Sequence, residues 1–241
     1  MKFSTISNIG KHRSENEDYY ANYKKNDLDF FIVADGMGGH SKGEVASKLA
    51  SKLYIDFIKD ADICKYKSLI DLQEEALRYA NKKIYSLSDK KDSLKMGTTV
   101  VCLIIDNKDK KYYISYLGDS RIYIFRDDKI TYQTRDHSLV NDLLDTGSLS
   151  KEEAENFVNK SAITRAVGTE EMIKPDSKVY DLMENDKILM FTDGLSNEIE
   201  DEEISQILSL NDDAYEISSK LIKKALDNGG HDNITVTTIL V

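Results

Sequence analysis

Five aspartates in this chain of 241 residues stand where strand-like segments meet short turns: Asp18, Asp35, Asp119, Asp193 and Asp232. The apolar run Phe30-Phe31-Ile32-Val33-Ala34 stops at Asp35, which opens the glycine-rich stretch Asp35-Gly36-Met37-Gly38-Gly39-His40. That pattern predicts a buried strand delivering an acid to a sheet edge, with glycines that let the backbone turn tightly and approach a ligand. Asp-Gly alone is a common turn dipeptide. Its recurrence carries the argument: Lys187-Ile188-Leu189-Met190-Phe191-Thr192-Asp193-Gly194 repeats the construction, and Tyr112-Tyr113-Ile114-Ser115-Tyr116-Leu117-Gly118-Asp119 closes on a variant of it.

Antiparallel pairing would set Asp193, ending one strand, beside Asp232, which precedes the last one. Asp35 and Asp119 join them if the topology brings those strand ends together, and Asp18 comes from the N-terminal loop. Carboxylates gathered in a small volume raise one another's pKa steeply unless cations neutralise them. Oxygen-only donors suit hard ions such as magnesium or manganese. Zinc is a poor second choice, because His12, His40, His137 and His231 are scattered and show no HExxH spacing. Two hard ions about 3.5–4 Å apart would bridge a water, lower its pKa and polarise a phosphoryl oxygen. That is hydrolytic chemistry. Arg13, five residues before Asp18, is the candidate cation for phosphate, since its planar fork binds phosphate bidentately. Local sequence alone favours a surface salt bridge with Glu15 or Glu17 for it.

The elements that must position these residues follow from periodicity. Strands are predicted at Phe3 to Ile9, Tyr19 to Tyr23, Leu28 to Ala34, Thr98 to Asp106, Lys111 to Leu117, Arg121 to Arg126, Lys129 to Gln133, Lys178 to Leu182, Lys187 to Thr192 and Ile234 to Val241. Helices are predicted at about Gly43 to Lys59, with a stripe of Val45, Leu49, Leu53 and Phe57, and at about Ser68 to Leu87. Further helical patterns cover Asp201 to Leu208 and Asp213 to Leu226, and two short pieces lie near Ser138 to Asp145 and Ser150 to Phe157. The strands between Thr98 and Gln133 read as an antiparallel meander with no room for crossover helices, so the class is α+β with helices outside antiparallel sheets. The charged segment from about 134 to 171 has little to anchor it to a core and reads as a mobile insertion over one sheet edge.

Composition narrows the function. With 40% hydrophobic residues, one proline and no low-complexity linker, a single domain spanning 1–241 is expected. A net charge of −10 without a Lys/Arg cluster argues against nucleic acid as a partner. No stretch reaches membrane-spanning length, and Cys64 and Cys102 form no paired motif, so buried reduced thiols, no membrane insertion and a cytoplasmic location are expected.

Arg13-x-x-Asn16-Glu17-Asp18, Asp35-Gly36-Met37-Gly38-Gly39-His40, Gly97-Thr98-Thr99, Gly118-Asp119-Ser120-Arg121, Thr134-Arg135-Asp136-His137-Ser138, Thr164-Arg165-Ala166-Val167-Gly168, Thr192-Asp193-Gly194-Leu195-Ser196 and His231-Asp232-Asn233-Ile234-Thr235 follow one another along the chain. Together they resemble the signature series of the metal-dependent protein phosphatase family, the protein phosphatase 2C type, in its compact bacterial form. The resemblance runs from about Ser4 to Val241. It implies a four-layer αββα sandwich of two antiparallel sheets flanked by helices, with a binuclear manganese or magnesium centre. It implies serine/threonine phosphoproteins as substrates, a serine/threonine kinase and its substrates among the partners, and a monomer. Carried over by position, Asp35 would bridge two tightly held metals, Asp193 and Asp232 would complete one site, and Asp18 with the Gly36 carbonyl would serve the other. Glu17 would be a ligand or support the ligands, and Asn233 and His40 would support them. Asp119, sharing Asp193, would bind a third, weaker metal. Arg13 would hold the substrate phosphate, and the 134–171 segment would be the family's flap.

One position departs from the pattern. Many eukaryotic members place a histidine, assigned as general acid, where this chain has Met37. A thioether cannot donate a proton, so His40 or a metal-bound water would take that role. Two readings compete with a protein phosphatase: a catalytically silent relative acting as a binding module, which would be expected to have lost acids from the set, and a phosphatase of non-protein phosphoesters.

Overall fold

The computed structural model describes residues 1–38, 42–87, 96–155, 157 and 162–241. Strands β1 (Lys2–Asn8), β2 (Asp18–Lys25) and β3 (Leu28–Met37) lead into helices α1 (Lys42–Asp60) and α2 (Leu69–Leu87), which are separated by a single 3-10 turn, Ile63–Lys65. Next come β4 (Gly97–Asp106), β5 (Lys111–Leu117), β6 (Arg121–Arg126) and β7 (Lys129–Gln133), then short helices α3 (Leu139–Asp145) and α4 (Lys151–Glu155). Strands β8 (Asp176–Asp181) and β9 (Lys187–Phe191) follow, then helices α5 (Asp193–Ser196), α6 (Asp201–Leu208) and α7 (Ala214–Asn228), and β10 (Ile234–Leu240).

All pairings between these strands are antiparallel, in two five-stranded sheets of order β1-β10-β9-β6-β7 and β2-β3-β4-β5-β8. The period of two along each strand divides its side chains between two apolar layers. Phe31 and Val33 of β3 join Val101 and Leu103 of β4 against Ile122, Ile124, Ile188, Met190 and Ile239 of the facing sheet. Phe30, Ile32 and Ala34 point the other way, into a layer closed by α1 and α2. A third layer packs β9 and β10 against α6 and α7 through Leu189, Phe191, Val236, Ile204, Ile217 and Leu221. The result is a four-layer αββα sandwich. Burying each such aliphatic or aromatic side chain contributes about 1.5–3 kcal/mol.

Four expectations need correction. The predicted stripe of α1 is only the flank of its buried face: Val45 is exposed and Leu49 and Phe57 pack against the core partly buried, whereas Ala46, Ala50, Tyr54 and Ile58 are fully buried. Small residues bring this helix close to β3, so the sheet selects the Ala face over the larger residues beside it. The strands between Gly97 and Gln133 are not one meander but two hairpins in different sheets. Gly118 makes the crossing at φ +105°, where an L side chain is strained, and a Cβ there would lie 2.5 Å from the Thr99 side chain. The 134–171 segment is anchored at both ends. Thr134, His137 and Ser138 are buried near its start, and Val167 pairs with Thr98 through two backbone hydrogen bonds and joins the helix-side core near its end. Finally, Cys102 is buried as expected but Cys64 is exposed.

Among the described residues, no helix is long and apolar enough to cross a membrane.

Candidate metal centre

The aspartates are placed by the sheets. Strand β3 does not stop at its acid but continues three residues beyond Ala34, so Asp35 sits inside the ladder, opposite Asp18 of β2 and Thr99 of β4. The glycine that follows permits this. A Cβ on Gly36 would stand 2.1 Å from the Gly43 carbonyl oxygen, so only glycine lets β3 run beneath the start of α1. Asp193 is the first residue of α5, just past the end of β9, and Asp232 precedes β10, the partner of β9. Asp119 lies in the three-residue link from β5 to β6, between sheets.

Asp18 and Asp119 are buried, and their carboxyls are both raised to about 7. Burial is the largest cause for each, and the charge of Asp193 adds to both. The Asp35 carboxyl is held well above the usual range by burial and by the charges of Asp18, Asp193 and Asp119. Asp193 is raised by burial and by Asp232, while a hydrogen bond shared with Asp35 pulls the other way. The five acids therefore form one electrostatic unit.

Three oxygens within that unit, Asp18 Oδ1, Asp119 Oδ1 and Asp193 Oδ1, are buried without any hydrogen-bond partner. Unpartnered buried carboxylate oxygens are costly, and an all-oxygen set suits a hard divalent cation. Among the described residues no three His, Cys, Asp or Glu side chains close into a ready-made coordination shell. Ions of the magnesium kind keep several waters and take one or two carboxylates each, so the spared oxygens fit such ions without that closure.

The supporting contacts are extensive. Thr192 Oγ1 donates to Asp18 Oδ2 (2.9 Å) and accepts from the Thr235 N–H (3.0 Å), tying β2 to β10 across the two sheets. Asn197 Nδ2 donates to Asp193 Oδ2 over 3.0 Å. Asn233 Oδ1 accepts from the Glu17 N–H, while its Nδ2 donates to the Ile9 and Glu15 carbonyls, so this one side chain braces the loop that carries Arg13 and Glu17. The Glu17 carbonyl accepts from Gly36 N–H and Ser47 Oγ, and the Glu17 carboxyl, raised by burial, lies against Gly43. Arg13 is paired neither with Glu15 nor with Glu17: its Nη2 donates to Asp232 Oδ2 at 2.6 Å. Met37 ends β3, opposite Gly97. His40 lies outside the described residues.

The profile of the family described as protein phosphatase 2C matches residues 10–227 of the chain. The chain belongs to that family. The phosphatase is 35% identical over 248 residues to the protein phosphatase PhpP of Streptococcus pneumoniae (serotype 2, strain D39), an alignment covering 99% of this chain and 97% of the relative. Its fold superposes on the serine/threonine phosphatase of S. agalactiae with a TM-score of 0.89, at 32% identity and 98% coverage of both chains. It also superposes on the catalytic domain of the serine/threonine phosphatase PstP in complex with two manganese ions, with a TM-score of 0.80 at 32% identity, covering 98% of this chain and 96% of that one.

Sequence reasoning overlooked three supports of the phosphatase's acidic cluster. Thr192 was visible as the residue before an Asp-Gly pair, but only the fold carries it to Asp18, which is 174 residues distant. Asn197 stands four residues after Asp193, one helical turn, a signal that needed the short helix α5 to be foreseen. Ser120, whose Oγ lies 2.7 Å from Thr99 Oγ1 beside Asp119, was read only as part of a motif.

Proposed function

We infer that this phosphatase hydrolyses phosphoserine and phosphothreonine in proteins, using a binuclear manganese or magnesium centre held by Asp18, Asp35, Asp193, Asp232 and the Gly36 carbonyl. A weaker third cation is assigned to Asp119 and Asp193. The observation that carries the reading is the convergence of buried, mutually repelling carboxylates with three unpartnered oxygens where the two sheets meet. Bound there, hard divalent cations supply charge neutralisation and activation of water for attack on phosphorus.

The residues of the chain do the rest. Asp35 from within β3 and Asp193 from the start of α5 act on one another's charge, Thr192 keeps one oxygen of Asp18 engaged so that the other is free, and Asn197 does the same for Asp193. Arg13 is the candidate ligand for the substrate phosphate. It is half-exposed, and its guanidinium lies within the field of Asp232, Glu17 and Asp35. A cleft of about 650 Å³, lined by Asp119, Asp193, Asn197, Arg135 and Asn141, runs from the acids toward α3 and is large enough for part of a peptide. The 134–171 segment, which forms one side of that cleft, is assigned as the flap of a single 1–241 phosphatase domain.

A cytoplasmic monomer acting on the targets of a serine/threonine kinase, and on the kinase itself, fits this reading. The test is turnover of phosphothreonine peptides against small phosphoesters by the purified protein, with manganese and after chelation. Peptide hydrolysis that needs the metal supports the proposal. Hydrolysis confined to small phosphoesters, or undiminished by chelator, overturns it.

A further inference from the structure

The motif Thr134-Arg135-Asp136-His137-Ser138 has no part in the chemistry above, yet His137 is buried at 6% exposure and joined to its surroundings on every side. Its N–H donates to the Gly118 carbonyl (2.9 Å), and the Gly118 N–H donates to His137 Nδ1 (3.0 Å), so backbone and ring grip one residue from both directions. The ring stacks on Tyr116 with centroids 4.9 Å apart and planes 6° from parallel. Because a backbone N–H can only donate, Nδ1 accepts from Gly118, while Nε2 faces the Arg165 guanidinium (Nη1 at 2.8 Å) and Asp176 Oδ2 at 3.4 Å. The His137 carbonyl accepts from the Thr164 N–H (2.9 Å), linking the same residue to the far end of the 134–171 segment.

Gly118 matters because of its neighbour. Asp119 lies between the last paired residue of β5, Leu117, and the first of β6, Arg121, so no strand ladder fixes it. Its Oδ1 is buried and unpartnered. This link is held by the pair of hydrogen bonds between Gly118 and His137 on one side and the Thr99–Ser120 hydroxyl contact on the other.

We propose that His137 is a positioning residue that aims the Asp119 carboxylate by clamping Gly118, and that through Thr164 it makes this aim depend on the 134–171 segment. The proposal rests on the assignment of Asp119 to the weaker cation. Residues that orient a ligand from behind typically alter metal affinity by about 10–100-fold when changed.

The pair H137N and H137Q separates this role from a general structural one, since the Asn carbonyl oxygen can replace Nδ1 as acceptor for the Gly118 N–H, whereas the Gln side chain reaches the place of Nε2. Manganese titration followed by electron paramagnetic resonance counts weak and tight sites without reference to turnover. Amide hydrogen exchange reads Gly118 directly. H137Q should weaken the low-affinity site by about tenfold or more, leave the tight sites unchanged and speed exchange at Gly118, and H137N should restore most of both. Equal impairment in the two variants, or wild-type behaviour of H137Q, overturns the proposal. D119A serves as the separate control: if the weak site survives in it, the cation assignment to Asp119 fails, and the clamp itself is then judged by Gly118 exchange alone, where unchanged protection in H137Q overturns it.

Discussion

Arg13 Nη2 and Asp232 Oδ2 lie 2.6 Å apart, joining the loop before β2 to the residue that leads into β10, 219 positions later. The cation assigned to substrate phosphate is thus held by a carboxylate assigned to a metal, and the pair raises the Arg13 pKa through that hydrogen bond. Arg13→Ala should raise KM for phosphopeptides by a factor corresponding to about 1.5–3 kcal/mol, and Arg13→Lys should recover only part of it, because the bidentate fork is lost. Removing the guanidinium also frees Asp232, so manganese should bind the alanine variant at least as tightly as the parent. Unchanged KM with a stability loss of up to about 1 kcal/mol would reduce Arg13 to a surface ion pair.

Asp35→Asn should cost at least about a hundredfold in turnover, since it removes charge from the assigned metal bridge. Its effect on the metal-free protein should have the opposite sign. The Asp35 carboxyl is held well above the usual range with Asp18, Asp193 and Asp119 among the causes, so neutralising it relieves repulsion and should raise the melting temperature measured in chelator. An asparagine variant that is both active and less stable would contradict the shared-charge picture.

The pH dependence of stability should also invert with metal. Asp18 and Asp119 have folded values of about 7 against an ordinary 3.8, so between these limits the folded state binds more protons than the unfolded one. Their favourable contribution is complete below about 4 and is lost as pH rises through about 7. Denaturant melts of chelated protein should therefore show stability falling across this window. With manganese present the carboxylates must be deprotonated to bind, and stability should rise over the same range. Parallel profiles with and without metal would refute the assignment of these acids.

Thr192→Val removes the hydroxyl that serves both Asp18 and Thr235. Leaving those buried groups unserved should cost about 1–3 kcal/mol of stability. The Thr192 hydrogen bond lowers the Asp18 pKa, so its loss should push that carboxyl higher and move the pH midpoint of manganese binding upward. A midpoint that stays in place while stability falls would confine Thr192 to packing.

The strands Lys111–Leu117, Arg121–Arg126 and Lys129–Gln133 and the helix Asp201–Leu208 were legible to the residue, because alternation, helical spacing and turn residues are local properties of the chain. The five aspartates were legible for the same reason: each stands where a strand-like run meets a turn in the sequence, and oxygen-only chemistry is a matter of residue type. Several decisions were not local. β3 and β4 are buried on both faces, so no alternation marked which side chains meet the other sheet and which meet the helices, and β3 carried Asp35 into the ladder instead of ending before it. The sheet chose the Ala46–Ala50 face of α1 by how closely a helix can approach a strand. Arg13 found Asp232, Thr192 found Asp18, and Asn233 found the Glu17 N–H across 216 positions. Residue type and spacing determined which groups this protein brings to its chemistry. Only the stacking of the two sheets decided which of them meet, because partners so far apart in the chain leave no periodic trace in it.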